Sequence, residues 1–164
     1  MENFIGWTDA NAQSIRDAIC VAICDDEAFM LELLEEKIKN MLPSAVIEQF
    51  SSGRELLEGN TQADILFLDI QMPEMDGMET ARLFRRQQKD TLIIFITAAP
   101  EYVFQAFDVG AFHYLVKPLS DDKFDEVFGN ALLGIGRRNK GRDGDDGDYM
   151  MIQAGGVHTK ILFK

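Results

Sequence analysis

Residues 65–77, ILFLDIQMPEMDG, decide the fold of this chain. The run from Ile65 to Leu68 is continuously apolar, which is typical of a strand buried on both faces of a parallel sheet. It ends in a carboxylate, Asp69, and Asp76-Gly77 then read as a turn or a cap before a helix. A charged group beside so apolar a strand is costly unless it faces solvent or other polar groups. The stretch therefore predicts a buried strand with a candidate functional residue at its end.

Similar apolar runs recur on both sides of this stretch. The five predicted strands cover residues 19–24, 45–50, 65–70, 92–97 and 112–116. Helical patterns lie between them: apolar residues recur at helical spacing from Met30 to Met41, and Ser120, Asp121 or Asp122 can cap the last helix. This alternation predicts an open α/β sheet with right-handed crossovers. In such sheets ligands bind beyond the carboxyl ends of the strands.

Polar residues stand at the ends of four of these strands. Asp25, Asp26 and Glu27 follow the first, Asp69 ends the third, Thr97 ends the fourth, and Lys117 with Pro118 follows the fifth. Converging carboxylates repel one another, and the usual remedy is a hard cation such as Mg²⁺, which prefers oxygen ligands. A lysine and a hydroxyl would neutralise and hydrogen-bond a phosphoryl group. Asp69 is the candidate nucleophile, because a carboxylate that attacks phosphorus forms an acyl phosphate.

Each of these residues also has an ordinary structural interpretation. Asp25 and Asp26 can cap the following helix, Thr97 can be a simple strand residue, and Lys117 can pair with any acidic neighbour. The set as a whole, in this order on the strand ends, favours a functional site over separate structural roles. His113 and His158 lack partners at metal-ligand spacing, so we interpret both as structural or solvated.

Composition narrows the classes of function. The 164 residues are 46 % hydrophobic and 27 % charged, as in ordinary globular proteins. A net charge of −12 argues against nucleic-acid binding by this chain alone. Cys20 and Cys24 form no disulfide framework, and their spacing predicts one shared strand face. No apolar run is long enough to span a membrane and no signal peptide is recognisable, so we expect a cytoplasmic protein.

The two ends of the chain differ from its centre. Residues 1–18 show no clear period and are interpreted as a leader or an expression remnant. Residues 139–148, NKGRDGDDGD, read as a linker because they offer almost nothing to bury. Two β-prone runs around Gly155-Gly156 predict a hairpin within residues 149–164. We expect these residues to be the start of a second, truncated domain.

Four motifs give the central part of the chain a family resemblance. CDDE at 24–27, LDIQMPEMDG at 68–77, FITA at 95–98 and YLVKP at 114–118 together resemble the receiver domain of two-component response regulators, over residues 19–138. The resemblance implies a doubly wound five-stranded parallel sheet of strand order 2-1-3-4-5, the flavodoxin-like receiver fold. It also implies that the Lys117–Pro118 peptide bond is cis.

The same resemblance implies roles for individual residues. Asp69 is the implied phosphoacceptor, and Asp25, Asp26, Asp69 and the backbone carbonyl of Gln71 are the implied Mg²⁺ ligands, with Asp25 acting largely through water. The implied role of Lys117 is to contact the phosphoryl group. Thr97 and Tyr114 are the implied switch pair, in which the hydroxyl moves toward the phosphoryl group and the aromatic ring follows it inward.

Residues 106–120, AFDVGAFHYLVKPLS, together with residues 149–164, resemble regulators with a LytTR-type DNA-binding output. The expected partners are a sensor histidine kinase, a second copy of the chain in a phosphorylation-dependent dimer, and DNA through the C-terminal domain only. The dimer surface is expected around Val103, Phe107 and Phe124. We expect a signalling domain, whose chemistry is limited to its own phosphorylation and dephosphorylation.

Two other classes of function remain open at this point. One is an aspartyl-phosphate phosphohydrolase of the haloacid-dehalogenase type, but such enzymes carry their nucleophile in a DxDx[TV] motif on the first strand. The other is an interaction module that works without phosphorylation. Labelling of Asp69 by a small acyl phosphate distinguishes the receiver from the interaction module, and turnover of a phosphomonoester would indicate the enzyme.

Overall fold

The structure is a computed structural model that describes residues 18–141, 149–154 and 157–162. Its strands are β1 Cys20–Cys24, β2 Val46–Phe50, β3 Ile65–Asp69, β4 Leu92–Thr97, β5 His113–Val116, β6 Tyr149–Ala154 and β7 Val157–Leu162. Its helices are α1 Ala28–Met41, α2 Gly53–Glu58, α3 Gly77–Gln87, α4 Val103–Ala106 and α5 Asp121–Gly141. Two 3₁₀ turns, Pro100–Tyr102 and Phe107–Val109, flank α4.

The first five strands form one parallel sheet in the order β2-β1-β3-β4-β5. This topology confirms the predicted fold class. Each of these strands begins and ends within one residue of its predicted bounds, because polar residues flank each continuous apolar run and mark its ends. The order reverses between β1 and β3, so the crevice that binds ligands in such folds lies beyond the carboxyl ends of these two strands.

Helices cover both faces of the sheet and create two apolar cores. One core joins α1 and α5 to the sheet, and there Phe124 stacks on Phe67 with ring centroids 5.5 Å apart. The other core joins α2, α3 and α4 to the opposite face, and includes Cys24 and Phe84. Cys20 packs against that second core, so the two free cysteines do share a strand face, as predicted.

Two details of the helices depart from the sequence-based expectations. Phe124 is fully buried, so its placement on a dimer surface was wrong: its ring fills the core between α5 and β3. Helix α5 continues to Gly141, three residues into the segment predicted as a linker. Residues 142–148 of that segment, and residues 1–17 of the predicted leader at 1–18, lie outside the described residues.

The predicted hairpin is confirmed. β6 and β7 pair antiparallel, with Tyr149 opposite Leu162 and Ala154 opposite Val157. The paired strands end and begin at Ala154 and Val157, on either side of the two glycines at which the sequence predicts the turn. Among the described residues, no helix is both long enough and apolar enough to cross a membrane.

Candidate functional site

The site begins with two carboxylates at the switch point of the sheet. Asp69 is the last residue of β3, whose five residues are all buried, and its own side chain is 4 % exposed. Asp25 directly follows β1, where its backbone N–H donates to the carbonyl oxygen of Phe50 at 3.1 Å. Its Oδ1 accepts a hydrogen bond from the backbone N–H of Glu27 at 2.9 Å. The sheet therefore carries both carboxylates to one edge, and local backbone contacts orient Asp25.

Asp26 completes a cluster of three carboxylates. One oxygen from each of Asp25, Asp26 and Asp69 can be chosen so that all three lie within 4.8 Å of one another. Asp25 and Asp69 are buried, whereas Asp26 is exposed. A buried floor with an open rim allows an ion to enter from solvent and to keep part of its water shell, as Mg²⁺ does.

Lys117 is the cation that faces this cluster. Its Nζ lies 3.2 Å from Asp25 Oδ2, 3.5 Å from Asp69 Oδ2 and 3.1 Å from Glu27 Oε1. The backbone N–H of Lys117 donates to the carbonyl oxygen of Thr97 at 2.8 Å, which ties the end of β5 to the end of β4. The Lys117–Pro118 peptide bond is cis, as the resemblance implied.

The crowding of charge shows in the acidities of these groups. Burial, with the nearby charge of Asp25, raises the pKa of Asp69 from 3.8 to about 7 against the opposing effects of Lys117 and of the Gln71 backbone N–H. Burial likewise raises the pKa of Asp25. Burial alone would lower the pKa of Lys117, but the hydrogen bond to Glu27 and the charges of Asp69 and Asp25 raise it. The site therefore holds more negative charge than its one lysine balances.

The donor set fits a hard divalent cation. The three candidate ligands that cluster here, Asp25, Asp26 and Asp69, are carboxylates, and Mg²⁺ binds through such oxygens together with water and phosphate. Asp25 Oδ2 is buried and accepts no hydrogen bond from the described residues, although the Lys117 ammonium lies nearby. A buried carboxylate oxygen without a hydrogen-bond donor is costly, and a bound cation would compensate it.

The two residues predicted to form the switch, Thr97 and Tyr114, have defined surroundings in this structure. Thr97 is fully buried, and its hydroxyl oxygen accepts a hydrogen bond from the backbone N–H of Ala99 at 2.8 Å. It also lies 3.2 Å from the carbonyl oxygen of Ala99, to which it donates. Tyr114 is 36 % exposed on β5. The Thr97 hydroxyl is thus engaged with its own loop, and the Tyr114 ring remains partly in solvent.

The loop after β3 approaches Asp69 through its backbone. The backbone N–H of Gln71 donates a hydrogen bond to the Asp69 carboxylate. The role of the Gln71 carbonyl oxygen as a Mg²⁺ ligand stays a prediction. A Cβ on Gly77 would stand 2.1 Å from the carbonyl oxygen of Asp69. Only glycine fits there, because α3 begins directly against the end of β3. Asp76 is the N-cap of α3 and accepts from the Glu79 N–H at 2.8 Å, so its structural interpretation is sufficient.

Sequence reasoning missed the position of Glu27. It is the N-cap residue of α1, without a side-chain capping bond, and its carboxylate instead accepts a hydrogen bond from Lys117. Neither Asp25 nor Asp26 is therefore the cap that their positions allowed. The sequence signal was available, since CDDE supplies a third acidic residue, but its contact with Lys117 depends on how β1 and β5 are placed in space.

Known proteins similar to this chain are regulators. It is 38 % identical over 104 residues to a response regulatory protein of Vibrio cholerae, covering 62 % of this chain and 40 % of that protein. It is 34 % identical over 110 residues to the sensory transduction protein LytT of Oceanobacillus iheyensis (65 % and 45 %) and 32 % identical over 111 residues to the transcriptional regulatory protein BtsR of Escherichia coli (66 % and 46 %). The chain thus matches about half the length of these relatives.

A solved structure and a family model complete the comparison. The response regulator TrrA of Thermotoga maritima, solved in complex with Mg²⁺ and BeF, superimposes with a TM-score of 0.62 at 29 % identity, over 69 % of this chain and 98 % of that one. The family model of the response regulator receiver domain matches residues 21–128. With its five-stranded sheet and its cluster of carboxylates beside a lysine, this chain belongs to the response regulator receiver family.

Proposed function

We propose that this receiver domain accepts a phosphoryl group on Asp69 from the phosphohistidine of a sensor histidine kinase. The observation that carries the proposal is the cluster of Asp25, Asp26 and Asp69 with Lys117 Nζ 3.5 Å from Asp69 Oδ2. In the transfer, an Asp69 carboxylate oxygen forms the new P–O bond while the P–N bond to the kinase imidazole breaks. The imidazole leaves as the neutral base after it takes a proton from solvent.

The residues around Asp69 have different roles in this transfer. Lys117 donates hydrogen bonds and positive charge to the phosphoryl oxygens. Asp25 and Asp26, with Asp69, would hold Mg²⁺, which when bound neutralises the carboxylates and the incoming phosphoryl oxygens. The backbone N–H of Gln71 orients the Asp69 carboxylate for attack. Buried walls on the β1 and β3 side strengthen these interactions because they exclude water.

The signal is proposed to be a conformational change at Thr97 and Tyr114. A phosphoryl group offers strong acceptor oxygens, and the Thr97 hydroxyl donates to one of them instead of to the Ala99 carbonyl. The space that this movement frees admits the Tyr114 ring. Phosphorylation shifts the population only as far as it binds the second arrangement better than the first.

Chemical labelling tests the phosphoacceptor. After incubation with acetyl phosphate and Mg²⁺, the intact mass of the protein should rise by one phosphoryl group, and hydroxylamine should remove it as expected for an acyl phosphate. Asp69→Asn should abolish labelling. Asp76→Asn is the matched control, since it changes a nearby exposed aspartate that caps α3, and asparagine also caps helices well. An unlabelled wild-type protein would favour the phosphorylation-independent interaction module.

The dimer is the proposed readout of the switch. Phe104 is 81 % exposed and Phe107 is 68 % exposed, which is unusual for large apolar side chains on one short segment. With beryllofluoride and Mg²⁺, sedimentation velocity should show a dimer for the wild type and a weaker one for Phe104→Ser. Leu133→Ser, at a similarly exposed position on α5, is the control. An unchanged mass in the presence of beryllofluoride would contradict the dimer.

The output is proposed to be a LytTR-type DNA-binding domain whose opening strands are β6 and β7. The hairpin pairing and the similarity to LytT support this, as does the greater length of the relatives. The genomic coding sequence provides the test: a basic, β-rich domain after Lys164 would support the proposal. A downstream domain of a different class would contradict it.

A further inference from the structure

Glu27 differs from the other carboxylates that contact Lys117. Its side chain is 61 % exposed, whereas those of Asp25 and Asp69 are 1 % and 4 % exposed. All three lie at comparable distances from Lys117 Nζ, between 3.1 and 3.5 Å, and Glu27 is the nearest. The lysine is therefore shared between two buried anions and one anion that faces solvent.

The three anions also differ in how firmly they are held. Asp25 accepts the Glu27 backbone N–H, and Asp69 accepts that of Gln71. The Glu27 carboxylate accepts no capping hydrogen bond from the backbone of α1. An exposed ion pair contributes little to stability, so the Glu27 carboxylate can leave Lys117 at small cost. Removal of Asp25 or Asp69 from the lysine would instead disturb buried, hydrogen-bonded groups.

An ammonium group has only three N–H donors. Three carboxylate oxygens already lie within 3.5 Å of Lys117 Nζ, so a phosphoryl oxygen that binds there must compete with them for these donors. The exposed and loosely held Glu27 is the one that can be displaced. Its charge also repels an anionic donor that approaches the mouth of the site.

We infer that Glu27 is a positioning residue, a displaceable anion that occupies the phosphoryl-binding side of Lys117 until a phosphoryl group replaces it. This inference rests on the proposed phosphorylation of Asp69. Glu27 holds the lysine extended over the pocket when the site is empty, and it weakens the binding of small anionic phosphodonors. A kinase can overcome that repulsion through protein–protein contacts, whereas a small molecule cannot.

The test compares Glu27→Gln with the wild type and with Glu58→Gln, which changes the net charge equally at an exposed position on α2. Labelling rates are measured against acetyl phosphate concentration at saturating Mg²⁺. Glu27→Gln should lower the donor concentration at half-maximal rate by roughly fivefold, with the maximal rate little changed, and salt should reduce the difference. Glu58→Gln should match the wild type.

A second measurement does not need phosphoryl transfer. By calorimetry with Mg²⁺, Glu27→Gln should bind beryllofluoride roughly fivefold more tightly than the wild type, since the fluoride ligands take the place that Glu27 leaves. Equal affinities, or no binding to either protein, would overturn the inference. A fall in the maximal labelling rate without a change in the half-maximal concentration would also overturn it. Failure of the wild type to label while Glu27→Gln binds beryllofluoride more tightly would contradict the proposed function alone.

Discussion

Two clusters of charged groups in this domain differ in how their charge is balanced. At the far end of α3, the Arg85 guanidinium donates to the backbone carbonyl oxygens of Gln88, Lys89, Thr91, Val109 and Gly110, at 2.6 to 3.3 Å. At the carboxyl ends of β1 and β3, the carboxylates of Asp25, Glu27 and Asp69 share one lysine, and the Asp26 carboxylate lies beside those of Asp25 and Asp69. In the first cluster, backbone carbonyl oxygens surround the cation. In the second cluster, the carboxylates carry more negative charge than the lysine balances.

The difference separates a charged group whose contacts stabilise the fold from a cluster whose charge the fold leaves unbalanced. Arg85 joins the end of α3 to the turn at Gly110, whose φ of 66° marks the return from the α4 segment to β5. Its planar fork satisfies carbonyls that the chain has already placed. The carboxylate cluster is not satisfied in this way, and its raised pKa values record the cost. A cation or a phosphoryl-lysine contact would complete it.

The largest expected effect comes from the Arg85 cluster. Arg85→Met keeps the aliphatic stem but removes every donor, and we expect the free energy of unfolding to fall by about 3 kcal/mol because several partly buried carbonyls lose their partner. Urea denaturation measures it. The neighbouring exposed Arg86→Met should change stability by less than about 0.5 kcal/mol. Equal effects of the two substitutions would show that Arg85 acts only as a surface charge.

A smaller effect, of opposite sign, is expected from the carboxylate cluster. The folded-state pKa of Asp69, about 7, lies above its ordinary value of 3.8, so the folded protein binds this proton more tightly than the unfolded chain. Without bound metal, the free energy of unfolding should therefore fall as the pH rises from about 3.8 to about 7. Asp69→Asn removes this cost.

In buffer with a chelator, Asp69→Asn should be more stable than the wild type by on the order of 2 kcal/mol near pH 8, with little difference near pH 4. Urea denaturation of both proteins across the pH range measures the difference between them, which cancels the titration of other groups. A variant that is less stable than the wild type at about pH 8 would contradict the comparison between the two clusters.

The smallest effect concerns the metal. At roughly tenfold excess over its dissociation constant, Mg²⁺ should raise the stability of the wild type by about 1.4 kcal/mol through mass action. The gain should shrink as pH falls through about 7, because protonated carboxylates bind the cation poorly. Asp26→Asn should weaken it, while Arg85→Met should keep it in full. Thermal melts with and without Mg²⁺ check all three, and a pH-independent gain would contradict carboxylate ligation.

Much of the domain was predictable because its signals are local. The apolar run before Asp69 marks β3, and the acidic pair after β1 marks the edge where the site lies. Phe124 shows the limit of this reasoning: an apolar residue on a helix can face the core or a partner, and only its stacking on Phe67 decides between them. The contacts of Arg85 gave no sequence signal, since its acceptors are backbone carbonyl oxygens and two of them, those of Val109 and Gly110, are distant in the chain.

The sequence by itself determined the alternation of strands and helices, the carboxylates at the strand ends and the hairpin around Gly155-Gly156, because burial and turn chemistry act over a few neighbouring residues. Only the tertiary structure decided which acidic residues Lys117 contacts. Glu27 lies 90 positions before that lysine, and the parallel sheet brings the ends of β1 and β5 to one edge. That pairing depends on strand order, a property of the whole sheet.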